Sequence, residues 1–196
     1  MTFAELRAEF RHRGYDHIET ARVNLWLNQA YLELCEERNW PFVEATNSAV
    51  MPQTITDLRQ VLSVADTTNG NVLKWADRRD VVARDPDLSE TGTADTWFFD
   101  GAVIRVHPAN TTATHSVRYL KVPAELSADA DAPVVPARFQ DLIVDGAVYR
   151  ALKDNDEYDS AIALRDIWEI GVQKMADSQL MRNYDSPDFI IVTRTS

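Results

Sequence analysis

One cysteine, Cys35, is all the chain contains. No intrachain disulfide can form, which fits a reducing compartment. Glycine is scarce as well, with six in 196 residues. None falls in a GxGxxG or GxxxxGK arrangement, so a glycine-rich phosphate cradle is excluded. The GxSxG elbow of serine hydrolases is missing too. No apolar run approaches the roughly 20 residues a membrane span needs. The N-terminal stretch MTFAELRAEFRHRG has no apolar segment of signal-peptide length. The expectation is a soluble chain made in the cytoplasm. Basic excess is also lacking: 20 Lys and Arg stand against 31 Asp and Glu, for a net charge of −11. Residues 1–39, 40–123 and 124–196 hold 5, 8 and 7 basic groups against 7, 10 and 14 acidic ones. No segment is a basic patch, so tight electrostatic binding to phosphates is not expected.

What is present is the material of a globular core. Hydrophobic residues make up 45% and charged residues 26% of the chain, ordinary values for one domain or one domain with an insertion. The segment TFAELRAEFRHRG predicts a short helix. Thr2 caps it, Glu5 completes a capping box, and Gly14 stops it. In ETARVNLWLNQAYLELCEER, residues Val23, Trp26, Leu27, Ala30, Tyr31 and Leu34 recur at the spacing of one buried helical face. Pro41 ends this helix, because the residue before a proline is pushed out of the helical region.

From Trp40 to Pro123 the period changes. RQVLSVAD and VLKWA flank Asn69-Gly70, a hairpin signal. DRRDVVARDP predicts a short helix. TWFF and AVIRVHP flank a second hairpin signal, Asp100-Gly101, and HSVRYLKVP alternates as a strand does. The middle is expected to be a small antiparallel sheet. Helical period then returns. Pro136 suits a first helical turn, and ARFQDLIVDGAVYRALK puts Phe139, Leu142, Ile143, Gly146 and Ala147 on one face. The longer helix SAIALRDIWEIGVQKMADSQLMR carries two apolar stripes. One is Leu164, Trp168, Val172 and Met175; the other is Ala163, Ile167 and Ile170. One stripe is the rule for a surface helix. Two imply a second packing partner, either elsewhere in the bundle or in another subunit. The predicted fold class is α+β: a helical bundle from residues 1–39 and 124–184, a β-rich insertion at 40–123, and an extended tail at 185–196. The bundle is expected around the faces of Trp26 and Phe139.

Chemistry-bearing motifs are few. His12, His17, His107 and His115 lack metal-ligand spacing. His107 and His115 could approach across adjacent strands, which a simple hydrogen-bonded pair would also explain. DNDEYD fails as a calcium loop, since Asp159 stands where the turn glycine belongs and Arg165 where the bidentate glutamate belongs; helix capping accounts for it. Cys35 reads as a small buried hydrophobe. No catalytic, cofactor-binding or metal-ligating residue is assigned, and no cofactor is expected.

The order of several phrases is more informative. VNLWLNQAYLELCEERNWPF runs a helix into Trp-Pro-Phe. It is followed by MPQTITDLRQVLSV, LKWADRRD, TWFFDGAVIRVHPA, RYLKVPAEL and APVVPARFQDLIVDGAVYRAL. Over about residues 20–155 the chain resembles the head-to-tail adaptor (connector, head-completion) proteins of tailed bacteriophages. One departure is ETGTADTWFF, which lacks the proline that the family often carries before the hairpin. The resemblance implies a structural virion protein of the neck and not an enzyme. It would form a dodecameric ring under the portal protein, extend the DNA channel without binding DNA specifically, and dock a stopper or tail-tube protein. Trp40, Pro41 and Phe42 are then expected to form a rigid corner between modules, and Ala163, Ile167 and Ile170 a subunit interface. The apolar tail residues Phe189, Ile190, Ile191 and Val192 are expected to reach the portal as an added strand. Two alternatives stand beside this one. The first is a small cytoplasmic enzyme or ligand-binding protein with a cleft between bundle and sheet. The second is a helix-turn-helix nucleic-acid regulator, which the acidic balance disfavours.

Overall fold

The computed structural model describes residues 1–184. The fold is α+β, with helices at both ends and strands between them. It divides into two compact units: Met1–Val43 together with the chain from Pro123 onward, and Glu44–Val122.

The first unit is helical. Helix α1 (Phe3–Phe10) begins with the expected capping box: the Glu5 amide donates to Thr2 Oγ1 at 3.3 Å and the Thr2 amide to Glu5 Oε2 at 2.7 Å. A π-helical turn continues through Arg11–Tyr15, and Gly14 breaks it at φ 99°, a left-handed value that glycine adopts without steric cost. Helix α2 (Thr20–Glu36) buries Val23, Trp26, Leu27, Ala30, Tyr31, Leu34 and Cys35, the face its periodicity demands. It ends at Glu36, short of Pro41. The loop after Pro123 is tied back to this helix by the Asn28 side chain, which donates to the Leu126 carbonyl at 2.9 Å and accepts from the Leu126 amide at 2.8 Å. Burial pushes the Tyr31 phenol up to about 12.

Helix α4 (Asp141–Asp154) follows a 3-10 turn at Ala137–Phe139. It packs against α1, α2 and the long helix α5 (Tyr158–Tyr184). Its buried set therefore spreads around much of its circumference: Leu142, Ile143, Val144, Gly146, Ala147, Val148, Ala151 and Leu152. Of the face expected here, Leu142, Ile143, Gly146 and Ala147 are buried, whereas Phe139, in the turn before the helix, is half-buried.

The second unit holds six strands: β1 (Glu44–Val50), β2 (Leu58–Asp66), β3 (Asn71–Trp75), β4 (Thr96–Asp100), β5 (Val103–His107) and β6 (Thr114–Lys121). Their spatial order is β1-β6-β2-β3-β4-β5. Both hairpin signals form turns, with Gly70 at φ 72° and Gly101 at φ 65°. Asp66 organises the first turn. Its carboxylate accepts from the Asn69 amide side chain at 2.7 Å and from the backbone of Thr68 and Asn69 at 2.9 and 3.0 Å. These bonds, led by the Asn69 side chain, hold its carboxyl below the usual range. Four of the five strand pairs are antiparallel, but β3 and β4 run parallel through Lys74↔Thr96 and Trp75↔Trp97. The reason is the helix between them. The short α3 (Arg78–Arg84), capped by Asp77, makes the strand–helix–strand crossover that a parallel pair requires. The core of this unit gathers Met51, Val64, Leu73, Trp97, Ile104, Val106, Val117 and Tyr119.

Candidate functional site

Helix α5 presents its two stripes to opposite environments. Trp168, Val172 and Met175 are buried, and the Trp168 indole donates to the Leu142 carbonyl of α4 at 3.0 Å. Ile167 and Ile170 face outward at 59% and 57% exposure, and Ala163 is exposed beside them. A shallow groove borders this face, lined by Glu37, Arg38, Asp166, Trp168, Glu169 and Gln173. Close approach of α4 to its neighbours fixes which stripe goes inside. A Cβ on Gly146 would stand 2.9 Å from the Ala30 Cβ of α2, and one on Gly171 would stand 2.4 Å from Leu142 Cδ2. Charges stitch the same three helices. Glu33 of α2 pairs with Arg150 of α4 and, at 3.6 Å, with Arg165 of α5. Arg165 also bonds Glu169 at 3.0 Å and lies over the Trp168 ring at 5.3 Å. The hydrogen bond to Glu169, with help from the charge on Glu33, raises the guanidinium pKa against the opposing effect of burial.

The Trp40-Pro41-Phe42 segment is built as a turn. Trp40 is 2% exposed, and its indole N–H donates to the Leu34 carbonyl at 2.7 Å. That carbonyl belongs to the last turn of α2, where backbone acceptors lack intrahelical donors. The Phe42 ring stacks on Trp40 with centroids 5.6 Å apart and planes 13° from parallel. Pro41–Val43 forms a 3-10 turn, the Val43 amide donates to the Trp40 carbonyl at 3.1 Å, and β1 starts at the next residue. The expected tail residues Phe189, Ile190, Ile191 and Val192 lie outside the described residues.

The two strand histidines do not meet across adjacent strands, because β5 and β6 are not neighbours in the sheet. His115 is fully buried opposite Asp66 in the β2–β6 register. His107, at the end of β5, is also buried and faces the loop after α3. Its Nε2 stands 3.2 Å from Asp85 Oδ2 and 3.6 Å from Glu90 Oε2. Asp85 is anchored by the Glu90 amide, which donates to its Oδ2 at 2.8 Å. The backbone amides of Glu90 and Ser89, together with His107, hold the Asp85 carboxyl below its usual range. Beside His107 lies a cavity of about 100 Å³, whose lining includes Met51, Leu88, Phe98, Arg105 and Asn110. Sequence spacing did not single out Asp85 or Glu90, since the loop must close before they meet a histidine 22 residues from Asp85.

A family profile described as SU10 adaptor protein matches residues 1–188. No curated protein matches the chain.

Proposed function

We propose, from the premise that this chain belongs to the SU10 adaptor protein family of phage head–tail adaptors, that it works as a ring docked under the portal protein. As a member of a structural phage adaptor family, the protein is a virion component. In the proposed ring, a dodecamer at the neck, successive copies extend the DNA channel, and the far side receives a stopper or tail-tube protein. The net charge of −11 suits a channel protein, because DNA must slide past it and not adhere. The Trp40-Pro41-Phe42 turn would give every copy the same rigid exit from α2.

The observation that carries this reading is the exposed isoleucine face of α5. Burying an isoleucine side chain is worth about 1.5–3 kcal/mol, and two on one face, with a groove beside them, suit a subunit contact. A ring built head to tail uses two different surfaces on each copy, and the rotation between copies closes it. Ala163, Ile167 and Ile170 are proposed as one of those surfaces. Ile167→Asp is expected to leave the monomer folded, with stability within about 0.5 kcal/mol of the parent, and to abolish ring formation. Sizing the protein with and without portal protein measures this. A variant that still assembles removes the face from the interface; a variant that unfolds shows that the stripe belongs to the monomer's core.

Residues 185–196 are proposed as the portal-binding segment, because Phe189 to Val192 form a run of high β propensity that could add a strand to another chain. Ending the chain after Tyr184 should preserve the melting temperature and eliminate portal binding. Portal binding equal to that of the full chain sinks the assignment, and so does unfolding of the truncated monomer.

A further inference from the structure

The cluster of Asp85, Glu90 and His107 in the strand-rich unit brings together one imidazole and two carboxylates, whose nearest ligand atoms all lie within 4.8 Å of one another. The spacing matters more than the composition. With metal–ligand bonds of about 2.0–2.2 Å, neighbouring donors in a tetrahedral or octahedral shell stand about 3.0–3.6 Å apart. Here His107 Nε2 is 3.2 Å from Asp85 Oδ2 and 3.6 Å from Glu90 Oε2. The donors come from two separate pieces of chain, the end of β5 and the loop after α3, which backbone hydrogen bonds already hold side by side. The His107 carbonyl accepts from the Asp95 amide at 3.2 Å and from the Thr96 hydroxyl at 3.1 Å. The loop is closed by the Glu90 amide on Asp85, and the Glu90 carbonyl accepts from the Ala109 amide at 2.8 Å. The backbones that carry His107 and Glu90, and the Asp85 carboxylate, are thus held in place.

Charge points the same way. Asp85 already brings one carboxylate to the His107 ring nitrogen. Glu90 then adds a second negative group to the same ring nitrogen. Arg105, which lines the adjoining cavity, pairs with Asp100 (Nε–Oδ2 3.0 Å). We propose that Asp85, Glu90 and His107 bind a divalent transition-metal ion, Zn²⁺ foremost, that fastens the loop after α3 to the end of β5. One imidazole with two carboxylates suits Zn²⁺ and then Mn²⁺ by donor type, and Mg²⁺ poorly. Three protein donors leave further coordination positions for water on the side of Glu90, whose side chain is 60% exposed. The ion's role is structural and independent of the ring and its partners. No metal ligand was expected from the sequence, because the three residues share no motif spacing.

The test is a calorimetric titration of the full chain with ZnCl₂, alongside Co²⁺ absorption spectra and melting curves. The expected result is one tight equivalent per chain, a melting temperature raised by Zn²⁺, and no comparable effect of Mg²⁺. Glu90→Gln keeps an exposed side chain of the same shape and should weaken Zn²⁺ about tenfold or more. Asp85→Asn and His107→Gln should abolish the tight equivalent. Changing the exposed His12 and His17 to Gln should leave it intact. Absence of Zn²⁺ binding overturns the proposal. So does a tight equivalent that survives Glu90→Gln and Asp85→Asn, or one that is lost with His12 and His17.

Discussion

Trp40→Ala is expected to destabilise the protein by about 3–5 kcal/mol, the range for truncating a buried aromatic. Two losses combine. The ring is 2% exposed, so its removal leaves a cavity against Phe42 and the end of α2. The Leu34 carbonyl also loses the indole donor at 2.7 Å. A buried acceptor without a partner costs about 1–3 kcal/mol. For a chain of this length each kcal/mol lowers the melting temperature by about 2–4 °C. Thermal denaturation by circular dichroism measures the effect. Trp40→Phe separates the two contributions: it retains most of the apolar ring and deletes the donor, so its cost should fall between the parent and the alanine variant. A melting curve for Trp40→Ala that matches the parent would mean the turn after α2 contributes nothing to the fold.

Gly146→Ala, a change that ordinarily stabilises a helix by about 1 kcal/mol, is expected here to destabilise by about 2 kcal/mol. The added methyl would stand 2.9 Å from the Ala30 Cβ. Ala30 cannot turn away, because its Cβ is fixed to the backbone of α2. The two helices must part, and overpacking of this kind costs about 1–3 kcal/mol. The decisive measurement is the coupling with Ala30→Gly. Alone, that substitution should cost about 1 kcal/mol through helix propensity. Added to Gly146→Ala, it should restore stability, because it removes the colliding atom. Contacting residues show such non-additivity and distant ones do not. If the two effects simply add, or if Gly146→Ala melts above the parent, α2 and α4 are not in the close contact described.

Much of the architecture follows from short-range chemistry. The apolar period of Val23 to Leu34 predicts the buried face of α2. Thr2 with Glu5 predicts the start of α1, and Asn69-Gly70 and Asp100-Gly101 predict the two turns. Each of these signals acts through neighbours a few residues away, where spacing alone decides which groups meet. Strand β1 was less legible. EATNSAV has no apolar alternation, and it is a strand because its backbone pairs with β6 from Glu44↔Leu120 to Val50↔Thr114. The parallel pairing of β3 with β4 was likewise hidden, since a crossover helix and a hairpin leave similar marks in the flanking strands. Phe139 reads as part of the helical face of α4, but it lies in the 3-10 turn before that helix, where the helical period does not place it.

By itself, the sequence determined most of the elements, the net charge of −11 and the family resemblance. It also determined that α5 carries two apolar stripes. Only the tertiary structure decided which stripe is covered. Gly146 and Gly171 let α4 approach closely, the Trp168 indole reaches the Leu142 carbonyl, and Ile167 and Ile170 are left outside. It likewise brought Asp85 and Glu90 to His107 while keeping His115 on a strand that does not border β5. The physical reason is the same in both cases. Periodicity and turn chemistry are local properties of a chain, whereas burial and the meeting of distant side chains exist only once loops have closed and backbones have paired.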